Sequence, residues 1–270
     1  MRVIRALLAA LACLSAAPAE AAPGEALEQV DLELVLAVDV SGSVDFEEAR
    51  LQRDGYVQAF LHPDVLRAIL GGPNRKIAVT YFEWSEQSLA NQVIDWRLID
   101  SEQSARAFAG ALGAARISRG RYTSISSAID YAMPLFDSNA FDSVRRVIDI
   151  SGDGPNNSGR LVAAARDAAV ARGLTINGLP IVNTKPDRFG MPMPDLDLYY
   201  RDCVIGGPGA FFIVADDFGS FAAAVRRKLI LEIAGLSPPR PLLQRVSDRP
   251  GPPCDAGERM LRERFGGSRF

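Results

Sequence analysis

The chain has 270 residues, of which 48% are hydrophobic and 23% charged, and this is enough to form one sizeable buried core. Its net charge is −3, and the arginines concentrated after Pro239 leave the preceding part more acidic still. An acidic domain argues against nucleic acid as a partner, because the phosphate backbone would repel it. The single histidine, His62, precedes Pro63 and leaves no adequate residue set for Ser-His-Asp hydrolysis or zinc catalysis.

The first residues have the composition of a secretory signal. Two arginines precede an apolar stretch over residues 6–19, and Ala19-Glu20-Ala21 matches an A-x-A cleavage site. The stretch is too short to span a membrane, which needs about 20 residues. We therefore predict a signal peptide over residues 1–21, a short leader over residues 22–29, and export of the mature chain, to the periplasm or as a secreted protein.

A strand followed by small oxygen-bearing side chains is the most informative part of the sequence. Leu32, Leu34, Leu36 and Val38 alternate with other residues and predict a strand whose polar positions fade toward its carboxyl end, as in a strand buried on both faces. Asp39, Ser41 and Ser43 follow at alternate positions, and a turn at Gly42 would let their oxygens converge. Hard divalent cations such as Mg²⁺ prefer convergent oxygen ligands. In a chain of this composition, the probability that such a string occurs somewhere by chance is roughly one in ten. Its significance therefore depends on the residues around it and on the rest of the chain.

Strand and helix patterns alternate along the rest of the chain. Pro63 stops or kinks the first helix, and Asp100 and Gln103 are placed like a capping box at the start of the second. The predicted elements are strands at 76–84, 92–99, 144–151, 174–181 and 210–215 and helices at 46–60, 100–117, 123–136, 159–172 and 218–233. This alternation predicts a single α/β domain over residues 30–235, with a doubly wound, mostly parallel, Rossmann-like sheet covered by helices on both faces.

Two further loops are predicted at the same edge of this sheet. Asp153 follows the strand at 144–151, and Thr123 lies in a loop that leads into a helix. In the commonest doubly wound order the first and fourth strands are neighbours, and ligands bind at that point. One crevice is therefore predicted to hold five side chains: Asp39, Ser41, Ser43, Thr123 and Asp153.

Each of these residues also has an ordinary structural explanation. Ser43 and Thr123 could cap the helices that follow them, as serine and threonine commonly do. The segment at 152–157 has the composition of any strand-to-helix turn. Asp149, inside the preceding strand, has no explanation from the sequence alone. The position of three loops at one sheet edge favours a site over three unrelated turns.

The string Asp39-Val40-Ser41-Gly42-Ser43, with a later Thr123 and an Asp-Gly pair at Asp153, resembles the von Willebrand factor type A (VWA) domain and its metal-ion-dependent adhesion site (MIDAS). The stretches VIDISGDGPNN, LTINGLPI and CVIGGPGAF are similar to a bacterial exported branch of that superfamily, of the domain-of-unknown-function 1194 type. The resemblance covers residues 30–235. It departs from the usual Thr-Asp-Gly because Gly152 stands at the threonine position.

The resemblance implies that Ser41, Ser43 and Thr123 are hydroxyl ligands of Mg²⁺, or of another hard cation such as Mn²⁺ or Ca²⁺. Asp39 and Asp153 would hold the metal's waters or bind it directly. Neutral hydroxyls leave the ion electrophilic, with an open position. An Asp or Glu carboxylate of a partner protein would fill that position, so the expected function is metal-dependent protein binding and not catalysis.

Two other functions compete with this one. Phosphatases of the haloacid-dehalogenase type also start with an aspartate after the first strand and end with a loop resembling residues 152–157. Their first motif is D-x-D, however, whereas Ser41 stands at the second acidic position here, and the only lysines are Lys76, Lys185 and Lys228. A structural VWA domain without metal is the other alternative, and the retained set of five side chains argues against it.

The cysteines and the C-terminal tail are features of the sequence outside the predicted metal site. Cys203 and Cys254 could pair in an oxidising compartment and tie the tail to the domain, and two unpaired thiols are the alternative. The Pro- and Arg-rich tail over residues 236–270 is expected to be poorly ordered. Cys13 lies in the signal, and because the residues before it match a lipoprotein signal poorly, no lipid anchor is expected.

Overall fold

The structure of the chain is a computed structural model that describes residues 26–182, 192–236 and 249–264. The predicted signal peptide and Cys13 lie outside the described residues. The helices and strands are, in chain order, β1 (Glu28–Gln29), β2 (Glu33–Asp39), α1 (Phe46–Leu61), α2 (Pro63–Leu70), β3 (Ile77–Trp84), β4 (Ala90–Ile99), α3 (Glu102–Ala114), α4 (Ile125–Ala132), β5 (Phe141–Asp142), β6 (Arg146–Gly152), α5 (Val162–Ala171), β7 (Thr175–Pro180), α6 (Leu196–Tyr199), α7 (Phe221–Ala234) and α8 (Ala256–Arg264). Among the described helices none is both long enough and apolar enough to cross a membrane.

A five-stranded sheet in the order β4-β3-β2-β6-β7 forms the centre of the domain. β2 pairs in parallel with β3 and β6, β7 pairs in parallel with β6, and β4 is an antiparallel edge strand. The predicted doubly wound α/β fold is therefore confirmed, including the neighbouring strands that end at Asp39 and Gly152. The predicted strand at 210–215 makes only isolated bridges beside β7, and Pro180, which lies between the two bridges, has no N–H to donate to a continuous ladder.

Both faces of β2 are buried under helices. Leu34 and Leu36 belong to an apolar cluster shared with α1, α2, α3 and α7. Val35 and Ala37 belong to the cluster on the other face, which includes α4, α5 and part of α8. Burying a leucine side chain in this way stabilises a fold by roughly 1.5–3 kcal/mol. The strand consequently holds the residue at its carboxyl end, Asp39, in a fixed place at the sheet edge.

Two helix starts differ from those that the sequence predicts. Pro63 does end α1, but it also begins the separate helix α2, because proline suits the first turn of a helix. The capping box of α3 consists of Ser101 and Ser104 and not of Asp100 and Gln103. The Ser101 hydroxyl accepts the Ser104 N–H, and the Ser104 hydroxyl accepts the Ser101 N–H, so the two serines satisfy each other's donors.

A buried ionic cluster joins α7 to the middle of the sheet and accounts for Asp149. The Lys228 ammonium lies 2.6 Å from Asp149 Oδ1 and 2.5 Å from Glu232 Oε1, and none of the three side chains is more than 2% exposed. Asn177 donates a further 2.7 Å hydrogen bond to Glu232 Oε1. Two carboxylates thus face one ammonium in a dry interior. Burial and the Glu232 charge raise the pKa of Asp149 to about 7, although Lys228 opposes the shift.

Part of the tail packs against the domain. A disulfide joins Cys203, in the π-helical turn after α6, to Cys254, 51 residues later. The Gly251 N–H donates a 2.8 Å hydrogen bond to Asp202, and Ala256 of α8 is buried in the second apolar cluster. Our expectation of a poorly ordered tail was therefore wrong for residues 249–264, because the disulfide and these contacts hold them against the domain.

Candidate metal centre

The turn after β2 is held by hydrogen bonds of its own residues. Asp39 is fully buried, and its Oδ1 accepts the Ser41 N–H at 2.7 Å. The Val44 N–H donates to the Ser41 carbonyl at 3.1 Å, and Gln52 of α1 donates to the Asp39 carbonyl at 3.1 Å. These bonds fix the backbone of the string, so the hydroxyls of Ser41 and Ser43 face the neighbouring loops.

The structure joins four of the five predicted side chains in one chain of contacts, and Asp39 is joined to them through the Ser41 N–H. Thr123 Oγ1 donates to Ser41 Oγ at 3.2 Å, and Ser41 Oγ lies 3.3 Å from Ser43 Oγ. Ser43 Oγ in turn donates to Asp153 Oδ1 at 2.6 Å. Ser41, Thr123 and Asp153 are each no more than 6% exposed. Three hydroxyls and two carboxylates therefore converge at the carboxyl edge of β2 and β6.

Neither Ser43 nor Thr123 acts as a helix cap. Asp45 is the N-cap of α1, where its carboxylate accepts the Glu48 N–H. Ser124 is the N-cap of α4, and its hydroxyl accepts the Ser127 N–H. Because other residues cap both helices, the hydroxyls of Ser43 and Thr123 are directed to the other members of the five-residue group instead.

Two asparagines hold the Thr123 loop against the Asp153 loop. Asn157 accepts the Thr123 N–H through its side chain at 2.9 Å and donates its own N–H to the Thr123 carbonyl at 2.8 Å. Asn156 Oδ1 accepts the Ser126 N–H at 2.9 Å. Both residues belong to the segment at 152–157, whose composition alone indicates only an ordinary strand-to-helix turn. The signal was present in the polar Asn156-Asn157 pair, which directly follows Gly154-Pro155 at a sheet edge.

The C-terminal helix also contacts this region. Asn156 Nδ2 donates to Glu258 Oε1 of α8 at 2.7 Å, and the Asn156 N–H donates to the Tyr199 hydroxyl at 3.2 Å. Tyr199 in turn donates to the Cys254 carbonyl at 3.3 Å. The disulfide-linked arm thereby supports the loop that carries Asp153, a role that the sequence did not indicate.

The electrostatics of the site favour a cation. Burial, and then the charge of Asp153, raise the pKa of Asp39 well above its ordinary value. Asp39 Oδ2 is buried and, among the described residues, has no hydrogen-bond partner. Such an orphaned carboxylate oxygen is costly unless something positive faces it. Within the described ranges no three His, Cys, Asp or Glu side chains form a metal-ligand group, so a cation here would depend on the hydroxyls.

Gly152 replaces the threonine of the usual pattern, and the structure shows what lies in its place. A Cβ built on Gly152 would come within 2.9 Å of both Asp39 Oδ2 and the Tyr200 hydroxyl. The Tyr200 hydroxyl is buried and has no hydrogen-bond partner in the described part of the chain. Burial and the charges of Asp39 and Asp153 raise its pKa well above the ordinary value. A tyrosine hydroxyl from the π-helical turn thus lies where a threonine side chain would otherwise be.

The lysines in the described ranges are engaged away from this group. Lys76 pairs with Glu28 at 2.7 Å, near the opposite end of the strands. Lys228 is enclosed by Asp149 and Glu232 in the buried ionic cluster. Neither therefore supplies the lysine that a phosphatase of the haloacid-dehalogenase type would need beside Asp39.

The sheet order and the hydroxyl-carboxylate group at its edge define a VWA-type fold. The chain belongs to the family described as "Protein of unknown function (DUF1194)", whose model matches residues 29–237. The search of curated proteins gave no match.

Solved structures with the same fold include adhesive and matrix proteins. Proximal thread matrix protein 1 from the mussel byssus has a TM-score of 0.54 at 12% identity, with 78% of this chain and 50% of that chain covered. The pilus adhesin SpaC from Lactobacillus rhamnosus GG has a TM-score of 0.56 at 14% identity, with 78% and 32% covered. A von Willebrand factor type A protein from Catenulispora acidiphila has a TM-score of 0.51 at 16% identity, with 76% and 43% covered. This chain therefore spans half or less of each of these structures.

Proposed function

We propose that this protein is an exported interaction module that binds partner proteins through a divalent cation, Mg²⁺ or a similar hard ion. Ser41, Ser43 and Thr123 would be its hydroxyl ligands, and Asp39 and Asp153 would bind it directly or through water. The observation that carries the proposal is the convergence of these five side chains, with one buried Asp39 oxygen lacking any other partner among the described residues.

The donor set fits this role chemically. All five groups offer oxygen, which hard cations prefer, and a divalent ion would offset the repulsion between the buried carboxylates of Asp39 and Asp153. When bound, the ion would supply an electrophilic position for a partner carboxylate. A structure of the mussel protein, with a TM-score of 0.52 at 13% identity, is described as having a zinc-occupied MIDAS motif, which supports the proposal.

Export is the second part of the proposal. The signal-like residues 1–21 and the disulfide between Cys203 and Cys254 both suit an oxidising compartment such as the periplasm or the cell exterior. Expression of the full chain and N-terminal sequencing of the mature protein test it. We expect the mature protein to begin at Ala22, whereas retention of Met1 on the purified protein would contradict export by a cleaved signal.

Metal affinity tests the central claim. Calorimetric titration with Mg²⁺ and Mn²⁺ is expected to give saturable binding to the wild type and a large loss of affinity in Ser41→Ala/Ser43→Ala. Thermal unfolding is a second measurement, since an ion at 100 times its Kd stabilises the native state by about 2.7 kcal/mol. The matched control is Ser88→Ala/Ser138→Ala, which removes two exposed hydroxyls elsewhere. Equal affinity in all three proteins would overturn the assignment.

A further inference from the structure

A loop beside the candidate metal centre is ordered without regular secondary structure. Residues 115–122, which we call the arginine loop, connect α3 to the Thr123 segment. The Gly120 N–H donates a 2.9 Å hydrogen bond to the carbonyl of Val40, which lies between Asp39 and Ser41. The residues on either side of Gly120, Arg119 and Arg121, therefore lie next to the metal-site string.

A buried ion pair holds the first half of the arginine loop. Arg53 of α1 pairs with Glu83 of β3, and both side chains are at most 3% exposed. Arg53 Nη1 also donates to the carbonyls of Leu112 at 2.8 Å and Ala115 at 3.0 Å. Glu83 Oε2 accepts the Ser118 N–H at 2.7 Å. Both members of the pair thus also hydrogen-bond to backbone groups, at the end of α3 and in the arginine loop.

The second half of the loop is held by Ser85 and Glu86, the two residues that directly follow β3. Glu86 accepts the Arg121 N–H at 2.6 Å, and the Ser85 hydroxyl donates to the Tyr122 carbonyl at 2.8 Å. Gly120 packs so closely that an added Cβ would lie 1.8 Å from Ser85 Oγ. The backbone of the arginine loop is therefore anchored at Ala115, at Ser118 and from Gly120 to Tyr122, which limits the positions that its side chains can take before a partner binds.

The side chains that this anchored backbone presents are arginines. Arg116, Arg119 and Arg121 are exposed, and within the described ranges none of them forms a salt bridge. Many other arginines of the described chain do form one, for example Arg106, Arg160 and Arg172. Asp45 and Glu47, which follow the string at the start of α1, are exposed acids. Exposed arginines therefore lie beside the beginning of the string, at Val40, together with the Glu86 carboxylate, whereas the exposed residues directly after the string are acids.

We propose that the arginine loop binds additional acidic residues of the same partner segment that offers a carboxylate to the metal centre. The inference rests on the proposed function and adds a partner class to it: an acidic protein segment whose extra carboxylates lie toward Arg119 and Arg121 and away from Asp45 and Glu47. Guanidinium groups on a fixed backbone suit carboxylates, and complementary charge at the rim of an interface governs partner choice and association rate.

A peptide selection tests both the metal proposal and the arginine-loop proposal. A random-peptide phage library is bound to the immobilised mature protein in the presence of Mg²⁺, and bound phage are eluted with EDTA. We expect EDTA-eluted peptides to carry one Asp or Glu with further acids clustered to one side. EDTA-eluted peptides that carry a single isolated acid would overturn the arginine-loop proposal and leave the metal proposal standing. A selection without any EDTA-sensitive enrichment would overturn the metal proposal, and this inference with it.

Substitutions then test whether Arg119 and Arg121 are the residues that bind the additional acids of the peptide. For a synthetic copy of the strongest selected peptide, Arg119→Gln/Arg121→Gln is expected to bind about 2- to 5-fold more weakly per arginine removed, with a shallower salt dependence. Mg²⁺ affinity is not expected to fall, because neither arginine is a ligand. Arg226→Gln/Arg227→Gln, at two exposed arginines of α7, is the matched control. Equal losses of peptide affinity in the two variants would overturn the proposal. It would also be overturned if heparin or single-stranded DNA bound through the arginine loop and EDTA had no effect on that binding.

Discussion

The Ser43 hydroxyl donates a 2.6 Å hydrogen bond to Asp153, a residue 110 positions later in the chain. The bond closes the gap between the ends of β2 and β6, which are adjacent strands of the sheet. It also directs the Ser43 hydroxyl away from α1, whose cap is supplied by Asp45. The polar edge of the sheet is therefore one connected group and not three independent turns.

The close packing at Gly152 leads to the first prediction. Gly152→Ala is expected to destabilise the protein by about 1–3 kcal/mol, because the new Cβ would lie 2.9 Å from Asp39 Oδ2 and from the Tyr200 hydroxyl. Adding Tyr200→Phe should recover part of the loss, since it removes one of the two close atoms. Urea unfolding measures both effects.

Gly110→Ala is the control for this prediction. Gly110 lies inside α3, an added Cβ would have nothing within 4 Å, and alanine there is expected to stabilise the helix by up to about 1 kcal/mol. If Gly152→Ala were as stable as wild type, Tyr200 would not be the group that excludes a larger residue from position 152.

The buried ionic cluster predicts a dependence of stability on pH. The pKa of Asp149 is about 7 in the folded state against an ordinary value of 3.8, so folding favours its protonated form. The stability that this provides is complete below about pH 4 and is lost as the pH rises toward 7, leaving two buried carboxylates facing Lys228. Asp149→Asn cannot ionise, so its stability relative to wild type is expected to rise between pH 4 and pH 7.

Chemical denaturation at several pH values checks this expectation. Asp54→Asn, at an exposed carboxylate of α1, is the control for general effects of charge. A difference in unfolding free energy between wild type and Asp149→Asn that stays constant from pH 4 to pH 7 would show that Asp149 keeps one protonation state throughout.

The disulfide predicts a loss of stability on reduction. Closing a chain of 51 residues between Cys203 and Cys254 stabilises by about 4 kcal/mol in the chain-entropy model. Cys203→Ser/Cys254→Ser is expected to unfold at lower denaturant and to be cleaved faster by protease within residues 249–264. Adding a reductant should bring the wild type to the variant's behaviour and leave the variant unchanged. A wild type that is insensitive to reduction would argue against the pairing in solution.

The Arg53–Glu83 pair predicts strong coupling between two substitutions. Arg53→Met is expected to cost about 3–5 kcal/mol, because it leaves the Glu83 carboxylate buried without its counter-ion. Glu83→Gln in the same protein should restore much of that loss. Hydrogen exchange over residues 115–122 should rise in the single variant and fall again in the double variant. Arg50→Met, at an exposed arginine of the same helix, should be nearly neutral.

Most of the fold and the five-residue group could be predicted from the sequence because their signals are local. The alternating apolar residues Leu34, Leu36 and Val38 of β2 lead directly to Asp39, and two serines follow within four residues. Thr123 and Asp153 required one further rule, the neighbouring position of the first and fourth strands in doubly wound sheets. Helix capping remained an alternative at the sequence level, because it depends on whether Asp45 and Ser124 take that role.

The parts that could not be predicted depend on contacts between distant segments. Glu258 meets Asn156 across 102 positions, and no pattern near either residue indicates the contact. Tyr200 approaches Gly152 only because a π-helical turn carries it there. Asp149 has two neighbours in the buried ionic cluster, Lys228 and Glu232, which lie one turn apart on α7. Only the packing of α7 against the strand that carries Asp149 brings these residues together.

The contact of α8 with Asn156 bears on how much of the chain should be included when proteins of this family are expressed for measurement. The family match ends at residue 237, yet two residues that support the Asp153 loop lie beyond it: Cys254, whose carbonyl accepts from Tyr199, and Glu258, whose carboxylate accepts from Asn156. A protein shortened to the matched region would keep every candidate ligand and lose this brace. We expect such a fragment to hold the Asp153 loop less firmly, so residue 237 is a poor end point for a protein on which metal affinity is to be measured.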